Sequence, residues 1–262
     1  MTCNRVAIID SGVGALTIYQ ALLRLNCNCQ YYIVSDSKHY PYGTKTIDFI
    51  AQRIEQLVAE TLKQYRTDCI IIACNTATTS TISQLRQQFD CRFVGVVPAV
   101  KPAAKVTKSG QIAVLCTETT ANSNYLKQLI TTYGGRAQYH IIATTELTDT
   151  IEQSMLSGEQ LNNQIIDAVC DQIQQIANCD TVVLGCTHYA IAKPSLQQRL
   201  PQIKHWIDSS SAIAKQLQNL LQPKPSSATM QHYFTETGQK YHSIHFQKQL
   251  KTMNLQYSQC TI

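Results

Sequence analysis

Apolar and polar positions alternate along this chain on two length scales. Short unbroken apolar runs recur at 6–9, 31–34, 69–74, 93–97, 112–116, 139–143, 182–186 and 203–207. Each has the length of a strand buried on both faces. Between most of them lie longer stretches with apolar residues at helical spacing. In 46–65, for example, Ile47, Ile50, Ile54, Leu57, Val58 and Leu62 share one stripe. Such alternation predicts parallel strands with helices packed on the sheet faces.

Eight strand–helix units fit either a closed (β/α)₈ barrel or two open sheets. An internal echo favours the open sheets. Ile70-Ile71-Ile72-Ala73-Cys74-Asn75-Thr76 resembles Val182-Val183-Leu184-Gly185-Cys186-Thr187-His188, and Val6-Ala7-Ile8-Ile9-Asp10-Ser11 pairs with Ile112-Ala113-Val114-Leu115-Cys116-Thr117. The lead strands stand at similar distances from their cysteines, so the chain reads as two related halves with a cleft between them. The expected fold class is α/β, with two Rossmann-like, doubly wound domains of mainly parallel sheets, pseudo-symmetric, and the active site in the interdomain cleft. The boundary falls near Val97-Pro98, giving one domain of 1–97 plus 210–262 and a second of 98–209. The Pro- and Ser-rich stretch 222–229 is the clearest loop. Beyond it, 231–235 and 239–250 predict a strand and a helix that return to the first domain.

Composition narrows the classes. A chain of 262 residues with 44% hydrophobic and 15% charged residues can bury a real core and does not read as disordered. The net charge of +5 is scattered, with no basic run, which argues against nucleic-acid binding and leaves room for a small anionic substrate. No apolar run approaches the roughly 18 residues of a membrane span. Residues 6–9 are too short for a signal-peptide core and are closed at once by Asp10. Eleven cysteines, an odd number lying mostly in apolar runs, suit free thiols in a reducing cytoplasm.

Ligands of parallel sheets bind beyond the carboxyl ends of the strands. Four of these ends carry chemistry: Asp10-Ser11, Asp36, Cys74-Asn75-Thr76 and Cys186-Thr187-His188. Asn75, Thr76 and Thr187 are expected to cap the following helices and to meet a substrate carboxylate there. A single strand-end cysteine is usually a small core residue. Two at equivalent places in related halves, with polar neighbours, instead suggest thiols facing one another. Inverting a stereocentre needs a base on one face and an acid on the other. A thiol can do both, with Asp10 and His188 as candidate proton acceptors. Cys27-x-Cys29 and His242-x-x-His245 lack a complementary pair at zinc-site spacing. Gly12-x-Gly14 lacks the third glycine of a dinucleotide turn.

From 6 to 211 the sequence resembles the glutamate racemases of the aspartate/glutamate racemase superfamily. The resemblance is carried by Asp10-Ser11-Gly12-Val13-Gly14-Ala15-Leu16-Thr17, Pro41-Tyr42-Gly43-Thr44, Ala73-Cys74-Asn75-Thr76-Ala77-Thr78 and Leu184-Gly185-Cys186-Thr187-His188-Tyr189, with a weaker match at Phe234-Thr235-Glu236-Thr237-Gly238. It implies interconversion of L- and D-glutamate without cofactor or metal, supplying D-glutamate for peptidoglycan, by a cytoplasmic homodimer. It assigns Cys74 to the D-enantiomer and Cys186 to the L-enantiomer, with Asp10 assisting Cys74, His188 assisting Cys186, and Glu152 orienting His188. Asp10, Ser11, Tyr42, Gly43, Asn75, Thr76, Thr119, Thr187 and His188 would hold the substrate. Ala15 stands where the family usually has glycine, which is expected to alter the turn. Racemisation of aspartate is the nearest alternative. A binding role, as towards DNA gyrase in some family members, is the non-enzymatic one and has no feature of this sequence behind it. No segment precedes the first strand to house a regulatory site, so activity without an activator is expected.

Overall fold

The computed structural model of the protein describes residues 3–24, 29–221 and 230–259. The chain opens with β1 (Asn4–Asp10), α1 (Ala15–Arg24), β2 (Cys29–Ser35), α2 (Ile47–Tyr65), β3 (Cys69–Ile72), α3 (Asn75–Gln88) and β4 (Arg92–Gly95). It continues with α4 (Val100–Val106), β5 (Gln111–Cys116), α5 (Glu118–Ala121), α6 (Asn124–Tyr133), β6 (Gln138–Ala143), α7 (Glu146–Ser157), α8 (Asn163–Gln174), β7 (Thr181–Leu184), α9 (Tyr189–Arg199) and β8 (His205–Ile207). Then come α10 (Ser210–Leu220), β9 (His232–Glu236), α11 (Ile244–Thr252) and β10 (Leu255–Gln259).

The strands form two separate sheets, six-stranded in the order β10-β9-β2-β1-β3-β4 and four-stranded in the order β6-β5-β7-β8. The assigned pairs are parallel. This is the open-sheet α/β architecture and not the barrel. The order β2-β1-β3-β4 repeats as β6-β5-β7-β8, so the internal echo has a topological counterpart: β1 corresponds to β5 and β3 to β7. In each half the order reverses beside the lead strand, which opens a crevice at the strand ends.

Side-chain alternation explains the unbroken apolar runs. In β1, Val6 and Ile8 face a core built with α1, α10 and α11, while Ala7 and Ile9 face one built with α2 and α3. In β5 and β7, Ala113, Leu115, Val182 and Leu184 pack towards α7, α8 and α9, and Ile112, Val114 and Val183 towards α4 and α6. Two crossings join the sheets, one after β4 and one after β8. They are stitched together by the Ser209 hydroxyl, which donates to the Val97 carbonyl.

Several expectations need adjusting. The strands read at 69–74 and 182–186 stop at Ile72 and Leu184, leaving both cysteines beyond the sheet. Ile47 starts α2 but is 52% exposed, so the buried stripe begins at Ile50. The last helix starts at Ile244, where the Ser243 hydroxyl caps the Phe246 N–H, and not at 239. Strand β10 has no counterpart among the apolar runs of the sequence. Its Leu-Gln-Tyr-Ser-Gln pattern has too few apolar residues to read as buried, and it is an edge strand. The loop expected at 222–229 lies outside the described residues. Among those residues no helix is long and apolar enough to cross a membrane.

Phe234 of β9 anchors the returning segment, with ring centroids 5.4 Å from both Tyr241 and Phe246. Phe234→Ala is therefore expected to destabilise the protein by about 3–5 kcal/mol, read from the midpoint of denaturant unfolding. A loss under ~1 kcal/mol would mean that this cluster is not part of the core.

Candidate active site

Asp10 ends β1, and Ser11 follows; Cys74 caps α3, and Cys186 follows β7. All are buried, as are Asn75, Thr76, Glu152, Thr187 and His188. The structure gathers these residues from both sheets. The Thr187 hydroxyl donates to Asp10 Oδ2 at 3.0 Å, and Thr76 Oγ1 meets Thr117 Oγ1 at 2.9 Å. Each half thus sends a hydroxyl into the other. The caps expected from Asn75, Thr76 and Thr187 do not form, because Cys74 and His188 hold the N-cap positions without side-chain cap bonds.

The two thiols have different surroundings. The Thr76 and Ala77 backbone N–H groups favour a Cys74 thiolate, but burial and the neighbouring Asp10 charge outweigh them and hold this thiol well above its usual range. Cys186 lies close enough to add to that push. Burial also raises Asp10, although His188, the Ser11 N–H and Thr187 work against the rise. A carboxyl raised in this way holds its proton to higher pH than an exposed one.

Cys186 Sγ lies 3.8 Å from His188 Nδ1, and His188 Nε2 lies 2.9 Å from Glu152 Oε2. Burial disfavours the imidazolium, but the Cys186 and Glu152 contacts outweigh it and raise His188 well above its usual value. Burial likewise opposes the Glu152 carboxylate, but its bonds to His188, Lys240 and Tyr241 lower it overall. With Nε2 donating to Glu152, Nδ1 of the neutral ring is free to take the thiol proton.

Gly12 and Gly14 make this approach possible. A Cβ on Gly12 would lie 2.7 Å from Glu152 Oε2 and 2.9 Å from His188 Nε2, and one on Gly14 only 2.2 Å from Thr187 Oγ1. The glycines of this turn admit the opposite half of the protein, which accounts for them without a dinucleotide. Ala15 needs no such clearance: it is the first residue of α1 and lies buried in the core.

Other expected residues lie at the margin. The Tyr42 hydroxyl donates to Asp36 Oδ2 at 2.7 Å, and Thr119 donates to the Gly43 carbonyl at 2.8 Å. Both hydroxyls thus brace the Tyr42-Gly43 turn against its surroundings. Asp36 also receives Arg53 Nη2 at 2.8 Å and Thr237. Burial alone would raise Asp36, but the Arg53, Thr237 and Tyr42 bonds bring it down to about 2. Tyr40, Lys240 and Tyr241 also join the site, on no local sequence signal: they meet Glu152, His188 and Asp149 through the fold alone. Cys27 lies outside the described residues, and among those residues no three His, Cys, Asp or Glu side chains are grouped to hold a metal ion.

If Glu152 sustains the His188 imidazolium, Glu152→Gln should move the His188 titration clearly downward. NMR titration of labelled histidine reads this directly. An unmoved titration would remove Glu152 from that role.

The family model for Asp/Glu/hydantoin racemases matches residues 18–217. A glutamate racemase of Sodalis glossinidius is 37% identical over 234 residues, 89% of this chain and 79% of that protein. The crystal structure of Escherichia coli glutamate racemase in complex with L-glutamate and the activator UDP-MurNAc-Ala aligns with a TM-score of 0.89 at 29% identity, covering 98% of each chain. The glutamate racemase isoform RacE1 of Bacillus anthracis aligns at 0.73 with 27% identity, covering 99% of this chain and 97% of that one. With its two parallel sheets and matching motifs, this chain belongs to the Asp/Glu/hydantoin racemase family.

Proposed function

We propose that this protein interconverts L- and D-glutamate by a two-thiol mechanism that needs no cofactor, and so supplies D-glutamate for peptidoglycan. The observation that carries the reading is the placement of Cys74 and Cys186 after corresponding strands of the two sheets, each beside a different proton-accepting group. The relatives named glutamate racemase support the substrate.

In the L to D direction, His188 Nδ1 takes the Cys186 proton, and the resulting thiolate removes the substrate α-proton. The electron pair left on the α-carbon is delocalised into the carboxylate. The Cys74 S–H then delivers a proton to the opposite face, leaving Cys74 as the thiolate, Cys186 as the thiol and the first proton on His188 as the imidazolium. That is the state from which D-glutamate reacts in reverse, with Asp10 as the proton partner of Cys74. Ser11, Asn75, Thr76 and Thr187 bind the amino and carboxylate groups. Asn75 suits the ammonium, because its buried Oδ1 has no hydrogen-bond partner. Tyr42, Gly43 and Thr119 shape the wall beside them.

On this reading the chain has two domains, 1–97 with 210–262 and 98–209, with the substrate between them; the presence of two separate sheets supports the division. Family resemblance supports a homodimer, and a cysteine-rich chain suits a reducing cytoplasm.

The test incubates purified protein with L-glutamate and, separately, with L-aspartate in D₂O, following the α-proton by NMR and the D-product by a chiral assay. Exchange and D-glutamate from glutamate alone are expected. Cys74→Ser and Cys186→Ser, each still folded, should lose roughly 10²-fold or more in rate. Turnover of aspartate alone would overturn the substrate, and silence with both acids would overturn the reaction.

A further inference from the structure

Between β9 and α11 the returning chain crosses the Cys186 side of the cleft, and two successive residues there reach the Glu152 carboxylate. Lys240 Nζ lies 3.3 Å from Glu152 Oε1, and the buried Tyr241 hydroxyl donates to the same oxygen. The other oxygen, Oε2, accepts the Val13 N–H at 3.0 Å and faces His188 Nε2 at 2.9 Å. Lys240 is held in place from its other side as well. Its ammonium lies 3.4 Å from the centroid of the Tyr40 ring, whose hydroxyl donates to Asp149 at 3.0 Å.

We propose that Lys240 is a positioning residue that sets the proton affinity of His188, the imidazole beside Cys186, by sharing the Glu152 carboxylate with it. One anion between two cationic partners divides its field between them. With Lys240 present, part of the Glu152 charge is neutralised and the imidazolium is stabilised less. With Lys240 removed, Tyr241 and Val13 still hold the carboxylate in place, so the change is one of charge more than of geometry. At 29% exposed, Lys240 can be replaced without opening the core. The other titratable groups around the cluster are Asp10 from β1, Cys74 before α3, Tyr40, Cys116 from β5, Asp149 from α7, Tyr189 from α9, Tyr241 and Glu236, which accepts the Lys240 N–H at 2.9 Å.

This inference rests on the two-thiol reading, and its direction follows from charge. Loss of a positive charge makes every proton of the Cys186–His188–Glu152 group harder to remove, so both limbs of its titration move to higher pH. The experiment compares wild type with Lys240→Met, Lys240→Gln and Lys240→Arg. It measures kcat/KM for L-glutamate against pH and, separately, the pH dependence of Cys186 alkylation by iodoacetamide, resolved by mass spectrometry. In both neutral variants the kcat/KM limbs and the alkylation midpoint should rise by about half a unit to one unit. Lys240→Arg should stay at the wild-type position. Profiles of the neutral variants that superimpose on wild type would overturn the proposal, as would an arginine variant that shifts as far as they do. The alkylation arm needs no turnover. A wild type that fails to racemise glutamate therefore overturns the function, while the alkylation midpoints still decide the role of Lys240.

Discussion

A carboxylate buried at the meeting of two sheets must have its lone pairs filled, or its charge is not sustained. Glu152 is that group here. It belongs to α7, in the half built on the four-stranded sheet, yet Val13, Lys240 and Tyr241 all reach it from the half built on the six-stranded sheet. His188 completes the set from its own half. The demand for complete pairing ties the two halves together at the point where the chemistry is placed. It also fixes which imidazole nitrogen faces Cys186. Much else follows from this contact: the glycine turn that lets Glu152 and His188 approach, the return of the chain after β8, and the Phe234 cluster that supports Tyr241.

The two halves share a topology but reverse their chemistry. Asp10 ends β1, and the corresponding end of β5 is Cys116, whose buried thiol is pushed up to about 12. Two residues after Cys74 stands Thr76, and two residues after Cys186 stands His188. In the proposed mechanism the proton partner therefore comes from the lead strand in one half and from the start of the helix in the other. A duplicated scaffold supplies equivalent places for two thiols, and differences at two positions make them unequal. Two thiols proposed to act on opposite faces of one carbon need not be tuned by the same kind of neighbour.

Much of this was legible in the sequence because strands buried on both faces leave unbroken apolar runs, and the repeat of those runs carried the two-sheet reading. The strand-end residues Asp10, Cys74, Cys186 and His188 stood out for the same reason: a polar or reactive group closes an apolar run. The failures are equally physical. Ile47 fits the helical stripe, but the first turn of α2 is exposed. Strand β10 pairs only along one edge, so half of its alternation is lost to polar residues. Asn75 and Thr187 have the chemistry of helix caps, but Thr187 turns its hydroxyl to Asp10 across the cleft, a long-range contact that no local pattern encodes. Lys240 and Tyr241 are invisible for that reason as well. Their role depends on a segment folding back over more than 80 residues to meet Glu152.

The site is held in a costly state. Burial opposes the charged forms of Asp10, Cys74, Glu152 and His188, and each is offset to a different degree by its neighbours. Glu152 and His188 each favour the other's charged form against burial. Asp10 and Cys74 do not, and Asn75 Oδ1 remains without a donor; an unmet buried acceptor costs about 1–3 kcal/mol. The Cys186 side is therefore the better paired, with partners drawn from both halves, while Asp10, Cys74 and Asn75 are less fully compensated. A ligand carrying an ammonium beside its carboxylate supplies what they lack. On this view an amino acid does more than fill the cleft: it completes the electrostatics that folding leaves unfinished.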